Sequence, residues 1–274
     1  MIDIQNLRFH YPNGRHRVFE DFSLQLQDNR IYGLLGVNGT GKSTLLYLLS
    51  GLLRPQQGHV RINGMEACRR HPDMLREVFI VPEEYDLPDM SLKRYVEMNS
   101  MFYPRFSEAT LRSCLDAFEL SGDLHLKHLS LGQKKKVYMS MALATNTRLL
   151  LMDEPTNGLD IPSKSLFRKV VADNMSDDRL VIISTHQVHD VASLLDHVLM
   201  LSTDGLILNA GIDTIAGHYA FGMRHASEMT GDELYAEPTL QGNAVVLSRK
   251  DGDAETPVNL ELLFNAAVKG LIKL

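Results

Sequence analysis

Apolar and polar positions follow different patterns along the chain, and each pattern predicts its own kind of element. In the first stretch Phe22, Leu24 and Leu26 alternate with polar residues, as in a strand that buries one face. A Pro-Asn-Gly turn at residues 12–14 divides this stretch, so we expect an antiparallel β segment at the N-terminus. Residues 31–35 then form a short apolar strand, which leads into a glycine-rich loop and a helix.

The middle of the chain changes to helical spacing. Leu111, Cys114 and Phe118 fall on one helix face behind Ser107, a residue type that caps helix N-termini. Because this block interrupts an alternation of strands and helices, we predict a helical subdomain inserted at about residues 84–145.

The alternation resumes after the insertion. Strands are predicted at 149–152 and 180–184, helices at 162–171 and 188–195, and a hairpin at Asp204-Gly205. Short apolar strands that alternate with helices are typical of a parallel sheet with helices on both faces. The predicted fold class is therefore α/β, with a mostly parallel sheet, an N-terminal antiparallel β subdomain and the inserted helical subdomain.

The pattern weakens near the C-terminus. A strand is predicted at 244–247, a turn at 251–253 and a helix at 260–268. We expect residues 1–210 to form the main domain and residues 211–274 to form a small α+β appendage of unknown role.

Composition narrows the classes of function. The 274 residues carry a formal charge of -6 and a pI near 6.0, which argues against broad charge-driven binding to nucleic acid. The two cysteines, Cys68 and Cys114, form no CxxC pair, so no cysteine metal site is predicted. No basic start precedes an apolar run at the N-terminus, and no apolar run reaches the ~18 residues that span a bilayer. We therefore expect any role at a membrane to depend on a partner.

One glycine-rich segment carries a phosphate-binding pattern. It fits G-x-x-x-x-G-K-[ST] and lies between a predicted strand and a predicted helix, the context that this pattern requires. Glycines let backbone N–H groups surround phosphate oxygens, the lysine adds a charge between the outer phosphates, and the serine hydroxyl ligates Mg²⁺. The alternative is a glycine-rich turn with a solvated lysine. The candidate nucleotide-binding residues are Gly36, Val37, Asn38, Gly39, Thr40, Gly41, Lys42, Ser43 and Thr44.

Two acids follow the apolar strand predicted at 149–152. In open α/β sheets, ligands bind at the carboxyl ends of the strands. Asp153 is the candidate Mg²⁺ ligand, and Glu154 is the candidate general base that polarises an attacking water. The alternative is a strand that ends in acids for solubility, and the phosphate loop earlier in the chain favours the functional interpretation.

A third segment, HLSLGQKKK, has the features of half an anion site. Ser130 is a good N-cap, Gly132 permits close backbone approach, and a helix N-terminus attracts anions, but nothing else nearby would hold a phosphate. We interpret Lys134, Lys135 and Lys136 as a solvated helix face.

The order of these motifs resembles that of an ABC transporter nucleotide-binding subunit. The resemblance rests on the phosphate loop, the signature segment LSLGQ, the strand end LMDEP, the loop NGLD and the segment STH, in that order. It covers roughly residues 1–210 and implies a P-loop NTPase core. The implied nucleotide is ATP, the implied cofactor is Mg²⁺, and the implied reaction is ATP hydrolysis.

The resemblance also implies a head-to-tail dimer, in which each ATP lies between the phosphate loop of one copy and the signature segment of the other. Ser130, Gly132 and Gln133 would then contact nucleotide held by the partner copy. Leu131 stands where the family usually has glycine, so this half-site departs from the family's pattern. Asp160 matches the residue that touches the opposing subunit and couples the two ATP sites. Capping of the next helix is the alternative role of Asp160, and both can hold at once.

Three further positions take roles from the resemblance. His186 matches the switch histidine that contacts the γ-phosphate and orients Glu154. Tyr11 stands where the family stacks an aromatic ring on adenine, and a strand-end tyrosine is the alternative. Glu83 replaces the family's glutamine, which reaches Mg²⁺ and senses the membrane partner; a carboxylate there can also bind Mg²⁺.

The resemblance finally implies a cytoplasmic subunit, peripheral on the cytoplasmic face of the cell membrane, that powers a separate transmembrane permease. Leu87 and Met90 are expected to be exposed and to contact this permease. The short tail resembles ATPases of ABC-2 type permeases, so we expect export. One alternative is a soluble ABC-type ATPase that acts on nucleic acid or the ribosome, which the acidic pI disfavours. The other is a phosphate-loop kinase or GTPase, which would not need LSLGQ or His186.

Overall fold

The computed structural model describes residues 1–12, 17–120, 122–250, 252–272 and 274. Residues 13 and 14 of the turn predicted at 12–14, and residue 251 of the turn predicted at 251–253, lie outside these residues. The strands are β1 (Ile2–Phe9), β2 (Phe19–Leu26), β3 (Arg30–Leu35), β4 (Gln57–Ile62), β5 (Met65–Glu66), β6 (Val78–Val81), β7 (Leu149–Asp153), β8 (Leu180–Thr185), β9 (His197–Ser202), β10 (Gly205–Gly211), β11 (Tyr219–Arg224), β12 (Glu233–Thr239) and β13 (Gly242–Ser248). The helices are α1 (Lys42–Leu49), α2 (Pro72–Leu75), α3 (Leu92–Asn99), α4 (Glu108–Ala117), α5 (Leu131–Ala144), α6 (Ile161–Asp173), α7 (Ile212–His218) and α8 (Leu260–Val268).

A six-stranded sheet forms the centre of the fold. Its strand order is β10-β9-β3-β8-β7-β6, and all neighbouring strands are parallel except the hairpin pair β9 and β10. The strands β7 and β8 are buried along their whole length, as expected for strands covered on both faces. Because β3, β8 and β7 are neighbours, the residues that follow them meet at one edge of the sheet: Gly36, His186 and Glu154. The predicted α/β fold with a mostly parallel sheet is confirmed.

A second sheet, in the order β2-β1-β4-β5, is antiparallel and confirms the predicted N-terminal β segment. Alternation places Ile2 and Ile4 on its buried face, each 1% exposed. The helix α1 adds Leu45, Leu46 and Leu48 to the same hydrophobic core, which also receives side chains from the central sheet. The start of α1 is therefore fixed by packing against both sheets.

Three consecutive helices, α3, α4 and α5, lie between β6 and β7 in the sequence. Each begins at a capping serine, namely Ser91, Ser107 and Ser130, whose hydroxyl accepts a hydrogen bond from a backbone N–H three residues later. Leu111 and Cys114 are buried, as the helical spacing of α4 predicts.

Two local predictions are wrong. Residues 188–195 form two short 3₁₀ turns, Val188–Asp190 and Ala192–Leu194, because β-branched valines at 188 and 191 restrict side chains against the preceding turn and the chain must reach β9 within a few residues. Leu87 is not an exposed contact: it is 9% exposed and belongs to the main hydrophobic core, and Met90 packs partly buried against that core.

The C-terminal segment contains the helices α7 and α8 and an antiparallel sheet in the order β11-β13-β12. Leu260 and Leu263 of α8 lie in one hydrophobic core with Val181 and Ile183 of the central sheet. The segment therefore shares its core with the rest of the protein. Within the part of the chain that the structure describes, no helix has the length and apolar character needed to cross a membrane.

Candidate functional site

The phosphate loop, residues 36–41, joins the carboxyl end of β3 to α1. Gly39 and Gly41 have φ angles of 86° and 98°, in the left-handed region that side chains disfavour. A Cβ added to Gly41 would stand 2.7 Å from Cγ1 of Val18. Gly41, the N-cap residue of α1, makes no side-chain capping hydrogen bond, so the first backbone N–H groups of the helix can face an anion.

The lysine of this loop is buried rather than solvated. Lys42 is 6% exposed, and its Nζ donates a hydrogen bond to the carbonyl oxygen of Gly36 at 2.7 Å. The same Nζ lies 3.8 Å from Oε1 of Glu154. Burial lowers the pKa of the Lys42 ammonium, whereas the charge of Glu154 raises it. The ammonium is thus held between the loop and the acidic strand.

A cavity of about 480 Å³ opens beside the loop. Its lining includes Tyr11, Ser43, Glu83 and Glu154 as well as the loop itself. The hydroxyl of Tyr11 lies 3.2 Å from Oγ1 of Thr44, which fixes the tyrosine at the start of α1. This volume lies in the range of small-molecule sites. The structure therefore gathers predicted nucleotide, metal and catalytic residues from distant parts of the sequence.

Asp153 is the last residue of β7 and is 1% exposed. Its Oδ1 accepts a short hydrogen bond from the Ser184 hydroxyl. Its Oδ2 is buried without a hydrogen-bond partner among the described residues. A buried carboxylate oxygen without a donor is unusual, and an oxygen-seeking cation would satisfy it. These residues fit a Mg²⁺ ion.

Glu154 follows directly and has a φ of 45°, which turns its side chain out of the strand direction. Its backbone N–H donates to the carbonyl oxygen of Ser184 at 3.1 Å. Its Oε1 accepts a hydrogen bond from Nδ1 of His186 at 2.8 Å, and its Oε2 faces the backbone N–H of His186 at 3.4 Å. The histidine thus orients the carboxylate from the neighbouring strand.

Glu83 is exposed at the cavity, where its Oε1 accepts a hydrogen bond from Nδ2 of Asn157 at 3.0 Å. A glutamine could donate as well as accept at this position, whereas a carboxylate can only accept. In this hydrogen bond Glu83 can therefore only be the acceptor. Its negative charge also raises the pKa of the Lys42 ammonium.

The signature segment forms the N-terminus of α5. The Ser130 hydroxyl accepts a hydrogen bond from the Gln133 N–H at 3.3 Å, and Oε1 of Gln133 accepts one from the Ser130 N–H at 3.0 Å, which together make a capping box. Leu131 is 67% exposed. Neither Ser130, Gly132 nor Gln133 lines the phosphate-loop cavity of its own chain. This half-site is therefore well formed but separate from the phosphate loop of the same chain.

Comparison with known proteins identifies the family. The sequence model of the family described as ABC transporter matches residues 19–157. The chain belongs to this family.

Two relatives show the extent of the similarity. The methionine import ATP-binding protein MetN of Carboxydothermus hydrogenoformans is 31% identical over 231 residues, which cover 78% of this chain and 67% of MetN. The lantibiotic transport ATP-binding protein SrtF of Streptococcus pyogenes is 30% identical over 217 residues, which cover 78% of this chain and 92% of SrtF.

Solved structures agree. A structure of the ATP-binding subunit of an ABC transporter aligns with a TM-score of 0.70 and 25% identity, over 78% of this chain and 91% of that one. A dimer of the ATP-binding cassette MJ0796 with ADP and Pi aligns with a TM-score of 0.68 and 22% identity, over 77% of this chain and 98% of that one, and shows the shared fold.

The predicted function is confirmed at the level of the family: the chain is an ABC transporter ATP-binding subunit that hydrolyses ATP. Both named relatives are described as transport proteins, which disfavours the alternative of an ATPase that acts on nucleic acid. One of them is named for import, so family membership is compatible with either direction of transport.

Asp160 caps the helix α6 of this ATPase. Its Oδ1 accepts a hydrogen bond from the Ser163 N–H at 2.9 Å, and the hydrogen bonds of Ser163 lower the pKa of the Asp160 carboxyl. The capping role that we expected is confirmed. The coupling role at a dimer interface stays a prediction.

The expectation that all three signature-helix lysines are solvated is wrong for Lys135. This residue is 6% exposed, and its Nζ donates a hydrogen bond to the carbonyl oxygen of Glu154 at 3.3 Å. Burial lowers the pKa of its ammonium, and the charge of Glu83 opposes this effect. Helical spacing contains the missing signal, because Met139 and Ala142 follow Lys135 on the same buried face.

Sequence reasoning also missed a chain of polar contacts that ends at His186. The Nζ of Lys164 in α6 lies 2.6 Å from Oδ2 of Asp190 and 3.3 Å from Oε1 of Gln187. The Nε2 of Gln187 lies 3.5 Å from Nε2 of His186. The helix that Asp160 caps is thus connected to His186, which donates a hydrogen bond to Glu154.

Proposed function

We propose that two copies of the chain associate head to tail, so that each ATP lies between the phosphate loop of one copy and the signature segment of the other. The observation that carries this proposal is the position of the signature segment. Its helix N-terminus, the Ser130 hydroxyl and the close approach that Gly132 permits suit an anion, yet these groups lie outside the phosphate cavity of their own chain. A second copy supplies the missing phosphate frame.

Within each site we assign Glu154 as the general base. Glu154 is 4% exposed, and its Oε1 accepts a hydrogen bond from His186 Nδ1 at 2.8 Å and lies 3.8 Å from the Nζ of Lys42. A carboxylate fixed in this way can accept a proton from a water aligned with the γ-phosphate. Lys42 stabilises the negative charge that develops on the outer phosphates.

We assign the Mg²⁺ ligands to Ser43, Asp153 and Glu83. Oxygen atoms from a hydroxyl and carboxylates are what this ion prefers, and the unpartnered Oδ2 of Asp153 provides one. When bound, the ion supplies charge neutralisation on the phosphates. Because Ser184 occupies Oδ1 of Asp153, the carboxylate is held with Oδ2 free. The Tyr11 ring, anchored through its hydroxyl, is assigned to the adenine.

We further propose that residues 1–210, which include the helical subdomain at about 84–145, carry the nucleotide chemistry, and that residues 211–274 form an appendage. The protein is proposed to work on the cytoplasmic face of the membrane. A groove of about 450 Å³ supports a permease contact between the core and the helical subdomain. Leu52 and Phe102 line it and are 55% and 61% exposed. An apolar groove of this kind suits an amphipathic helix of the permease.

Export is our proposal for the direction of transport. One relative is named for lantibiotic transport and another for methionine import, so a transport measurement has to decide the direction. Purification from the native membrane would identify the permease, and vesicles reconstituted with both proteins would show on which side the cargo accumulates. Accumulation on the side that carries the ATPase would contradict export.

The composite site is tested with a Ser130→Arg variant. A single chain of this variant should bind ATP as the wild type does, because Ser130 lies outside the cavity of its own phosphate loop, whereas its hydrolysis should be abolished. Calorimetric titration measures the binding, and phosphate release measures the turnover. Hydrolysis at the wild-type rate would overturn the composite site.

A further inference from the structure

Lys135 occupies an unusual position for a lysine that follows the signature segment. It lies in the second turn of α5 and is 6% exposed, whereas Lys134 and Lys136 on either side are partly exposed. Taking an ammonium out of water is unfavourable unless polar groups compensate. The burial of this one lysine among three therefore indicates a specific contact.

That contact is with the backbone of Glu154, the residue that we assign as the general base. The Nζ of Lys135 donates to the carbonyl oxygen of Glu154 at 3.3 Å, and Glu154 is one of the few residues other than glycine whose φ is positive, at 45°. A left-handed backbone of this kind persists only where the surrounding structure holds it. Lys135 thus supports the backbone of the residue whose side chain lies against His186.

The same helix carries the half-site for the partner's nucleotide. Ser130 caps α5, and the first helical bond, from the Lys134 N–H to the Ser130 carbonyl, measures 2.8 Å. Gly132 and Lys135 are three residues apart on this hydrogen-bonded helix, so one element carries both the half-site and the contact with Glu154. A cavity of about 590 Å³ is bordered by Leu131, Lys135 and Glu83, which places the lysine between the signature segment and the acidic residues.

We propose that Lys135 is a positioning residue: from the helix that carries the signature half-site, it holds the backbone of Glu154 in its own chain in the geometry that hydrolysis requires. This inference rests on the proposed head-to-tail dimer. It acts through the Glu154 carbonyl and does not require Lys135 to touch nucleotide. Each helix α5 then serves both ATP sites of a dimer, because Ser130 and Gly132 contribute to the partner's site and Lys135 contributes to the site of its own chain.

The first test is a Lys135→Met variant, which removes the charge and keeps most of the buried stem. We expect kcat to fall on the order of 10²-fold, as for other small misplacements of a catalytic group, while KM stays within about threefold of the wild type. Thermal stability should not fall, since the variant no longer buries a charge. Lys134→Met is the matched control, because Lys134 is partly exposed, and its kcat should stay within about twofold.

The second test uses mixed dimers and separates an effect on the chain's own site from an effect on the partner's site. Ser130→Arg chains mixed with Glu154→Gln chains form dimers in which both lesions fall on one site, so the other site is intact. Such a mixture should recover about one quarter of the wild-type first-turnover amplitude, because half of the dimers are mixed and each keeps one of two sites. A mixture of Lys135→Met and Ser130→Arg chains should recover the same one quarter of the wild-type amplitude, because both lesions again fall on one site.

The reverse mixture should stay inactive. Lys135→Met chains mixed with Glu154→Gln chains have one lesion in each site if Lys135 serves its own chain's Glu154. Recovered turnover in this mixture, combined with no turnover in the mixture of Lys135→Met and Ser130→Arg, would place Lys135 in the signature half-site. That result would overturn the Lys135 inference and leave the composite dimer standing. Failure of the reference mixture of Ser130→Arg and Glu154→Gln would overturn the composite dimer, and the Lys135 inference would fall with it.

Discussion

Replacing His186 by alanine tests how strongly the orientation of Glu154 controls turnover. The hydrogen bond from Nδ1 to Oε1 measures 2.8 Å, whereas the backbone N–H of His186 stands 3.4 Å from Oε2 and remains in the variant. A hydrogen bond to a charged group contributes about 1.5–3 kcal/mol, and about 1.4 kcal/mol of barrier corresponds to tenfold in rate. We therefore expect kcat to fall roughly 10- to 150-fold.

Phosphate release measured over a range of ATP concentrations separates kcat from KM. His186 does not line the phosphate-loop cavity, so we expect KM to stay within about threefold of the wild type. His189→Ala is the control, because this neighbouring side chain is 81% exposed and should leave kcat unchanged. A His186→Ala variant with wild-type kcat, or an equal loss in His189→Ala, would refute the role of the histidine.

Three other variants test the loop, the core and the response to pH. Gly41→Ala should weaken ATP binding by the single chain at least about tenfold. The backbone φ of 98° at this position and the 2.7 Å contact that a Cβ would make with Val18 both strain the loop. Wild-type affinity of this variant in calorimetry would contradict the prediction. Leu263→Ala should lower the free energy of unfolding by about 2–5 kcal/mol, and the variant should unfold in a single urea transition. Leu240 is fully exposed, so Leu240→Ala should change the free energy of unfolding by less than about 0.5 kcal/mol. Two separate transitions would contradict the shared core. Burial lowers the pKa of His197 below its usual 6.5, so the unfolded chain binds more protons near that pH and stability falls as the pH drops through 6.5. A His197→Gln variant should lose part of that fall in urea titrations between about pH 7.5 and 5.5, and an unchanged slope would be evidence against it.

Local motifs predicted the part of the site that is built from neighbouring residues. The phosphate loop acts through its own backbone, so the spacing of Gly36, Gly41 and Lys42 was sufficient to place it between a strand and a helix. The residues at the edge of the sheet were predicted in the same way. Asp153 and His186 lie at the carboxyl ends of two apolar strands, and these ends are neighbours when the strands pair in parallel.

Features that depend on contacts between distant elements were not accessible in this way. The polar partner of Lys135 is the carbonyl oxygen of Glu154, which lies 19 residues further along the chain. Helical spacing can therefore place Lys135 on the buried face of α5, but it cannot show which group compensates the buried charge. Leu87 was expected to be exposed because the resemblance implies a permease contact at this stretch, yet its side chain is buried in the main hydrophobic core. The pairing of Lys164 with Asp190 likewise depends on how α6 packs against the turn after β8.

The central claim is that ATP joins two copies of this chain through the signature segments. The most direct measurement is the solution mass of a Glu154→Gln variant, which should bind ATP without hydrolysing it. We predict that the mass doubles from the 30.8 kDa of one chain when ATP and Mg²⁺ are added, and that a second substitution, Ser130→Arg, abolishes the doubling. A Glu154→Gln chain that binds ATP and remains at 30.8 kDa would contradict the account.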